Sequence, residues 1–301
     1  MIKKNNSGFW AIFASAMILG SYGLLARYLN DTFGYFSQVF FRGAVAFVVV
    51  GAILLMTRAK FTLSKKDVGR ASILGLIFFG GVVLFTVGSI LDKISVVMFM
   101  FYAGSFFTSF LISTYYYHEK VSTQKGISLA VVLIGLLVTT GFNFSALSLG
   151  LLAAFFSGAL DSTANNLRKQ LAALPKQQVL LVQFIVVSTA ALLCLVFTKE
   201  IPIKNFTFSA IIAGITWGVL WVVGNRLIMI GYQHFDFLLA QIVLSSEIFF
   251  ATLFALVLFH EMPSLFELTG GILIFVGVLL VDIDLTRYMN MIRHAKKDKI
   301  S

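Results

Sequence analysis

Apolar stretches of crossing length recur along the chain with only short polar interruptions, and this constrains the fold more than any motif does. We read ten of them, at about Phe9–Ala26, Gly34–Thr57, Ala71–Leu91, Ser95–Tyr117, Lys125–Gly141, Ser148–Asn166, Gln178–Phe197, Phe208–Tyr232, Phe237–Phe259 and Leu268–Val281. A transmembrane helix needs about 20 predominantly apolar residues, so ten such stretches use most of the 301 positions and leave no room for a soluble domain. The runs are continuous, lack period-two alternation and are about twice as long as a tilted barrel strand requires. Helices are the remaining way to satisfy every backbone polar group inside a bilayer. Composition agrees, with 59% of residues apolar and 12% charged, where a soluble domain has about 45–50% and about 25%. The fold class expected is an all-α polytopic membrane protein with ten transmembrane helices. The Lys3-Lys4 start is not read as a cleaved signal, because the run that follows exceeds an h-region and leads into a second span.

The formal charge of +10 would suggest a nucleic-acid partner in a soluble protein, but in a membrane protein the place of each basic residue matters first. With the N-terminus inside, 17 of the 23 Lys and Arg fall on the cytoplasmic side. They are Lys3 and Lys4, the basic residues from Arg58 to Arg70, Lys120 and Lys125, Arg168, Lys169 and Lys176, and those from Arg287 to Lys299. The other side holds 4 (Arg27, Lys93, Lys199 and Lys204), and Arg42 and Arg226 remain inside spans. The positive-inside rule then places both termini in the cytoplasm of a bacterial inner-membrane protein. The basic tail 286–301 reads as a topology anchor, with lipid binding or regulation as the alternative. Nucleic acid drops out as a partner; a small-molecule substrate and the lipid bilayer remain, for a monomer or a homodimer.

Chemistry other than transport finds little support. The single cysteine, Cys194, excludes a disulfide framework, and His118, His234, His260 and His294 are too scattered for a metal site. No phosphate-cradling glycine loop, nucleophile elbow, kinase signature or H-E-x-x-H motif occurs. No metal, no cofactor and no enzymatic activity are therefore expected.

Sliding the chain against itself by 142 residues aligns Gly8, Ala11, Phe13, Ser15, Leu25 and Leu29 with Gly150, Ala153, Phe155, Ser157, Leu167 and Leu171. It also aligns His118-Glu119 with His260-Glu261, and Gly135 with Gly277. Two five-helix halves follow, with boundaries at 1–146 and 147–285. Five crossings is an odd number, so the second half is inverted relative to the first, as in many secondary transporters. Tyr117-His118-Glu119 with Gly135-Leu136-Leu137-Val138, and Phe259-His260-Glu261 with Gly277-Val278-Leu279-Leu280-Val281, resemble the EamA repeat of the drug/metabolite transporter superfamily. Arg42 in Phe40-Phe41-Arg42-Gly43-Ala44 is similar to that family's second-span arginine, and Glu247 to a glutamate that often precedes a proline in its ninth span. This chain departs from the pattern with Phe106 and Ile248 at the proline positions and Phe184 where a second arginine would align. The resemblance implies a ten-helix transporter of small metabolites, its cavity lined by the first four helices of each half and its fifth and tenth helices peripheral.

A charged side chain at the centre of a span costs about 2.5–3.5 kcal/mol on insertion scales, so each one needs a reason. Arg42, Asp161, Arg226 and Glu247 stand out. At a rise of about 1.5 Å per residue, Glu247 lies about 15 Å and Arg42 about 12 Å into their spans, while Arg226 can snorkel. Arg42, Asp161 and Glu247 either lock helices together as pairs or serve the cargo. A guanidinium and a carboxylate in one cavity suit the two ends of an amino acid, and Glu247 and Asp161 are the proton-coupling candidates. Ser157, Asp161 and Asn165 form one polar stripe on the sixth helix, continuing to Arg168, and Trp217, Trp221 and Asn225 form another on the eighth. Tyr102, Ser105 and Ser109 share a face on the fourth helix, as do Gln241 and Ser245 on the ninth, with Tyr22 and Gln183 as lesser candidates. Such residues bind ligand or glue helices. Glycines at 80, 81, 88, 214, 218 and 224 suit close helix contact or bending, and Glu119 and Glu261 suit end caps or gate contacts.

The function expected is secondary transport of a small polar or amphipathic metabolite by alternating access, with an amino acid or related amine-bearing compound first and export the direction. Uptake or exchange of a nucleoside-like or cofactor-like metabolite and proton-coupled multidrug efflux are alternatives within transport. A non-transporting membrane receptor or an intramembrane enzyme is the alternative outside it.

Overall fold

The computed structural model describes residues 6–92, 94–119, 122–142, 148–259 and 262–282. His260-Glu261 and the basic tail fall outside the described residues, as do Lys3, Lys4, Lys93 and Lys120. Among the described residues every regular element is a helix. In chain order these are α1 (Asn6–Leu19), α2 (Tyr22–Asn30), α3 (Tyr35–Met56), α4 (Lys65–Leu91), α5 (Ile94–Leu111) with a π-helical turn at Ile112–Tyr116, and α6 (Thr123–Thr139). There follow α7 (Leu149–Leu171), α8 (Lys176–Thr198), α9 (Phe208–Tyr232), α10 (Phe237–Leu244), α11 (Glu247–Phe259) and α12 (Leu265–Asp282).

Seven segments are long and apolar enough to cross a bilayer, with α1 and α2 counted as one and α10 running into α11. α6 and α12 are apolar but shorter. α7 has the length, 23 residues, but its polar stripe lowers its hydropathy, and it is accommodated by packing between α4 and α5. Large apolar side chains such as Leu55, Met56, Phe107, Phe156 and Phe197 are exposed on the outside, whereas Gln38, Arg42, Asn165, Arg168 and Gln183 are buried inside. That inversion of the soluble pattern is what a hydrocarbon solvent demands. Arg226 is exposed on α9.

The helix contacts fall into matched pairs. α4 packs on α7 and α1 on α9; α4 packs on α8 and α3 on α9; α3 meets α8, and α6 meets α12. Glycines permit the closest approaches, because a Cβ would strike the facing helix. At Gly104 it would fall on the Phe155 carbonyl, and at Gly158 on that of Phe101, so α5 and α7 touch backbone to backbone. Gly135, Gly270 and Gly277 do the same for α6 and α12, and Gly214 and Gly218 receive Phe41 and Val45 of α3.

Two segments read as continuous spans are broken. The first breaks at Gly20-Ser21, where Ser21 Oγ donates to the Ile18 carbonyl at 2.8 Å. The ninth breaks at Ser245-Ser246, where the two hydroxyls donate to Ile242 O at 2.6 Å and Val243 O at 2.8 Å. Serine hydroxyls compete with backbone N–H groups for carbonyls, so this bend forms with Ile248, not proline, beside it. The two breaks lie against each other: a Cβ at Gly20 would come within 2.7 Å of Phe250 Cβ and 2.8 Å of the Glu247 carbonyl.

Each end of the bundle is tied by a glutamate on a helix N-terminus, a favourable place for an anion. Glu119 accepts from the Phe237 N–H at 2.8 Å, with Lys169 Nζ 3.3 Å and Lys125 Nζ 3.7 Å away. Lys125 also pairs with Asp236 at 2.9 Å. At the opposite end of the bundle Glu200 accepts from the N–H groups of Ser37 at 2.8 Å and Phe36 at 3.1 Å. Glu119 is thus an end cap.

Candidate substrate cavity

A cavity enclosing about 680 Å³ of non-atom space, open solvent included, lies at the centre of the bundle, a usual place for small-molecule sites in helical bundles. Its walls come from α1, α2, α4, α5, α7, α9, α10 and α11. α6 and α12 take no part, as the resemblance implied. Neither do α3 and α8, which stand one layer back, so the second and seventh of the apolar stretches read from sequence are absent from the lining.

Of the residues singled out from sequence, Tyr102, Ser157, Asp161, Asn165, Trp221, Asn225, Gln241 and Glu247 lie on the wall. Ser105 is behind it, donating to Gln241 Oε1 at 3.4 Å. Arg42 and Trp217 are also outside the lining, and the rings of Tyr22 and Trp221 stand between Arg42 and the open space. Arg42 therefore does not share a chamber with Glu247.

The cation on the wall is Arg168. Its place in the charge count was a cytoplasmic loop, following a sixth span ending near Asn166. α7 instead continues to Leu171, and Arg168 is 1% exposed. A charged residue at the end of an apolar run is indistinguishable from a loop charge until the neighbouring helices are placed. Its polar stripe was the available signal, because Asp161, Asn165 and Arg168 recur on one helix face. Asn165 bridges the two charges, donating to Asp161 Oδ2 at 2.9 Å and accepting from Arg168 Nη1. The direct Arg168 Nη1 to Asp161 Oδ1 distance is 3.9 Å. The Phe78 ring lies 4.4 Å from the guanidinium carbon. Nε and Nη2 of Arg168 have no protein partner. Together they form one edge of the guanidinium fork, the edge that takes a carboxylate with two parallel hydrogen bonds.

Glu247 opens α11 just past the ninth-segment break. Tyr102 Oη is 2.8 Å from Glu247 Oε2 and 2.9 Å from the Leu244 carbonyl oxygen. A phenol has one hydrogen, so both contacts are hydrogen bonds only when the Glu247 carboxyl carries a proton. It then donates to Oη, and Oη donates to Leu244. When Glu247 is ionised it takes the phenol hydrogen, and the Leu244 carbonyl at the break loses its donor. The protonation state of one carboxyl is thereby tied to the bonding of a bent helix.

Other polar wall residues are satisfied by the protein. Ser157 Oγ donates to Gly81 O at 2.7 Å, Asn225 donates to Trp221 O at 2.9 Å, and Gln241 donates to Tyr232 Oη at 2.8 Å. Gln183, behind the wall, donates to Asn225 Oδ1 at 3.3 Å. These bonds hold helices together and fix side-chain orientation. Among the described residues the wall side chain with buried N–H groups left unpaired is Arg168, while the Asp161 side chain is the more accessible of that pair.

A helical bundle turned apolar side out, with acidic and basic groups gathered in a central cavity, defines the class as a multi-pass membrane protein. Two stretches, residues 6–141 and 144–282, match the EamA-like transporter family, and the chain belongs to that family. Among 29 matching solved chains, one titled "Crystal structure of protein" superposes with a TM-score of 0.76 at 18% identity, covering 92% of this chain and 97% of that one. At that identity the likeness concerns the fold. Among curated proteins no sequence matches.

Proposed function

We propose that the chain is a secondary transporter that moves an amino acid or a related amine-bearing compound across the membrane by alternating access. The Arg168 guanidinium, on one wall with Asp161 and Glu247 and with Nε and Nη2 buried without a protein partner, carries this reading, the edge being uncovered as cargo enters. The edge takes the carboxylate of the cargo, Asp161 or Glu247 takes its ammonium group, and Phe85, Phe101 and Trp221 cover its side chain. Ten crossings in two inverted halves, 1–146 and 147–285, with both termini cytoplasmic, complete the arrangement. Exchanging the halves turns the α4 and α7 contact into that of α9 and α1, and the α4 and α8 contact into that of α9 and α3, which supports a two-fold relation between the halves; the odd number of crossings in each is what implies inversion.

Glu247 couples transport to protons through Tyr102. Deprotonation strips the Leu244 carbonyl of its donor at the Ser245-Ser246 break, which lies against the Gly20-Ser21 break, so both bends respond to one proton. Export from a bacterial cell is the direction the family resemblance suggests.

The aromatic wall of Tyr22, Phe78, Phe85, Phe101 and Trp221 favours a second reading, a flat-ringed cargo such as a nucleoside-like compound or a cationic drug. Flux in proteoliposomes across amino acids, nucleosides and cationic dyes, with and without a proton gradient, separates the two. Amino-acid movement that responds to the gradient is expected. Movement of rings or dyes alone would replace the first reading with the second. Movement of nothing under any gradient would remove transport and favour a receptor or an intramembrane enzyme.

A further inference from the structure

Behind the rings of Tyr22 and Trp221 lies a second cluster of buried polar atoms that the cavity does not use. Arg42 is fully buried on α3. Its Nε donates to the Gln38 carbonyl one turn back at 3.0 Å, and its Nη2 reaches Tyr22 Oη at 3.4 Å. The guanidinium carbon lies 4.9 Å from the Tyr22 ring centre and 5.3 Å from that of Trp221. Among the described residues no carboxylate pairs with it. Glu200, near the start of the same helix, is engaged by the N–H groups of Phe36 and Ser37.

Arg42 Nη1, both side-chain polar atoms of Gln38, and Trp217 Nε1 are buried without a partner. Gln38 and Trp217 are fully buried too. Gln38 and Arg42 lie one turn apart on the same face of α3, α3 and α9 touch where a Cβ at Gly218 would lie 3.0 Å from the Arg42 carbonyl, and the Trp217 and Tyr22 rings are 5.4 Å apart. Aromatic faces offset part of the cost of burying a guanidinium but supply no counter-charge. A full positive charge, an amide N–H, an indole N–H and no acidic partner together describe the complement of an anion. Such donors are costly to bury empty and strong when an anion completes them.

We propose that Arg42, Gln38 and Trp217 form an occluded binding site for one small monovalent anion, a carboxylate or a halide, separated from the central cavity by Tyr22 and Trp221. Arg42 neutralises the anion through Nη1, and Gln38 and Trp217 each donate one N–H. The amide of Gln38 turns its NH₂ toward the anion, a rotation that exchanges nitrogen for oxygen at one position. The site does not require the cargo assignment above, because the fork edge of Arg168 belongs to the other chamber.

The chain has three tryptophans, and two of them, Trp217 and Trp221, border this site, so Trp10→Phe leaves an intrinsic fluorescent reporter on it. The full-length W10F protein in detergent is titrated with sodium chloride, and separately with sodium acetate, against sodium gluconate at constant ionic strength. A saturable change in emission is expected. A chloride response identifies a halide site, an acetate response a carboxylate site, and either supports the proposal. In Arg42→Gln the half-saturating concentration rises at least about tenfold. Trp217→Phe, which keeps the ring and removes only the indole N–H, raises it severalfold with Trp221 alone reporting, and so tests the site if the arginine variant fails to fold. A response with the same midpoint in both substituted proteins, or no saturable response to either anion in W10F, would overturn the proposal.

Discussion

Arg168 and Arg42 are both buried guanidiniums within this bundle, and they are held in opposite ways. Arg168 sits in a cavity beside Asp161, linked to it through Asn165, with one ring beneath it. Arg42 sits between two rings, with no carboxylate paired to it and its own helix carbonyl as its best acceptor. The first arrangement places a paired charge on the cavity wall; the second keeps its charge behind aromatic rings. Residue type and depth in the span therefore do not decide which arginine lines the cavity. What decides it is which neighbouring helix stands in front.

The largest test of that contrast is Arg168→Gln. It removes the carboxylate fork and leaves Asp161 without its cation, so amino-acid affinity should fall about 100-fold in equilibrium binding to purified protein. Lysine at the same position keeps the charge but not the planar fork, and should recover only part of that loss. If the glutamine variant binds normally, the cargo does not use this edge. Next in size is coupling with Asp161→Asn. A double-mutant cycle with Arg168→Gln should show an interaction of about 1–3 kcal/mol, whereas the cycle with Arg42→Gln should be additive within about 0.5 kcal/mol. Equal coupling in both cycles would mean that the two chambers are one.

Tyr102→Phe and Glu247→Gln separate the proton step from cargo binding. Phenylalanine removes the hydroxyl that links Glu247 to the Leu244 carbonyl, and an unpaired buried carbonyl costs about 1–3 kcal/mol, to be read as a lowered melting temperature. Glutamine at 247 cannot change its protonation, so proteoliposome flux should lose its pH dependence. Flux that keeps its full pH dependence in E247Q would exclude Glu247 as the coupling group. The smallest effect belongs to Ser105→Ala. Its hydroxyl lies behind the wall and makes one long bond of 3.4 Å to Gln241, so affinity should change less than about twofold.

Much of this was legible in the residues. Long apolar runs located the spans, and the stripe of Ser157, Asp161 and Asn165 identified the helix that brings most charge to the cavity, because side chains one turn apart share a face. Glu247 was recognisable as an intramembrane carboxyl. Its link to Tyr102 was not, because the two residues are 145 positions apart and no local pattern records that α5 meets the junction of α10 and α11. Arg168, though the stripe ran on to it, was counted with the loop charges for a different reason. Hydropathy treats a charge near the end of a run as a boundary, although α7 carries that charge inward between α4 and α5. The breaks at Gly20-Ser21 and Ser245-Ser246 were hidden because neither contains proline. The close α5 and α7 crossing rests on Gly104 and Gly158, which the glycine pattern of the third and eighth spans did not include.

By itself the sequence determined the solvent this chain folds in, the approximate limits of its apolar segments and the polar face of each helix. Those properties follow from local composition and helical period, which act over a turn or two. Only the tertiary structure decided which faces meet, that Arg168 rather than Arg42 reaches the cavity, and that Tyr102 bridges Glu247 to a bent helix. Each depends on how closely two remote helices approach, a distance set by glycines and helix breaks on both partners at once.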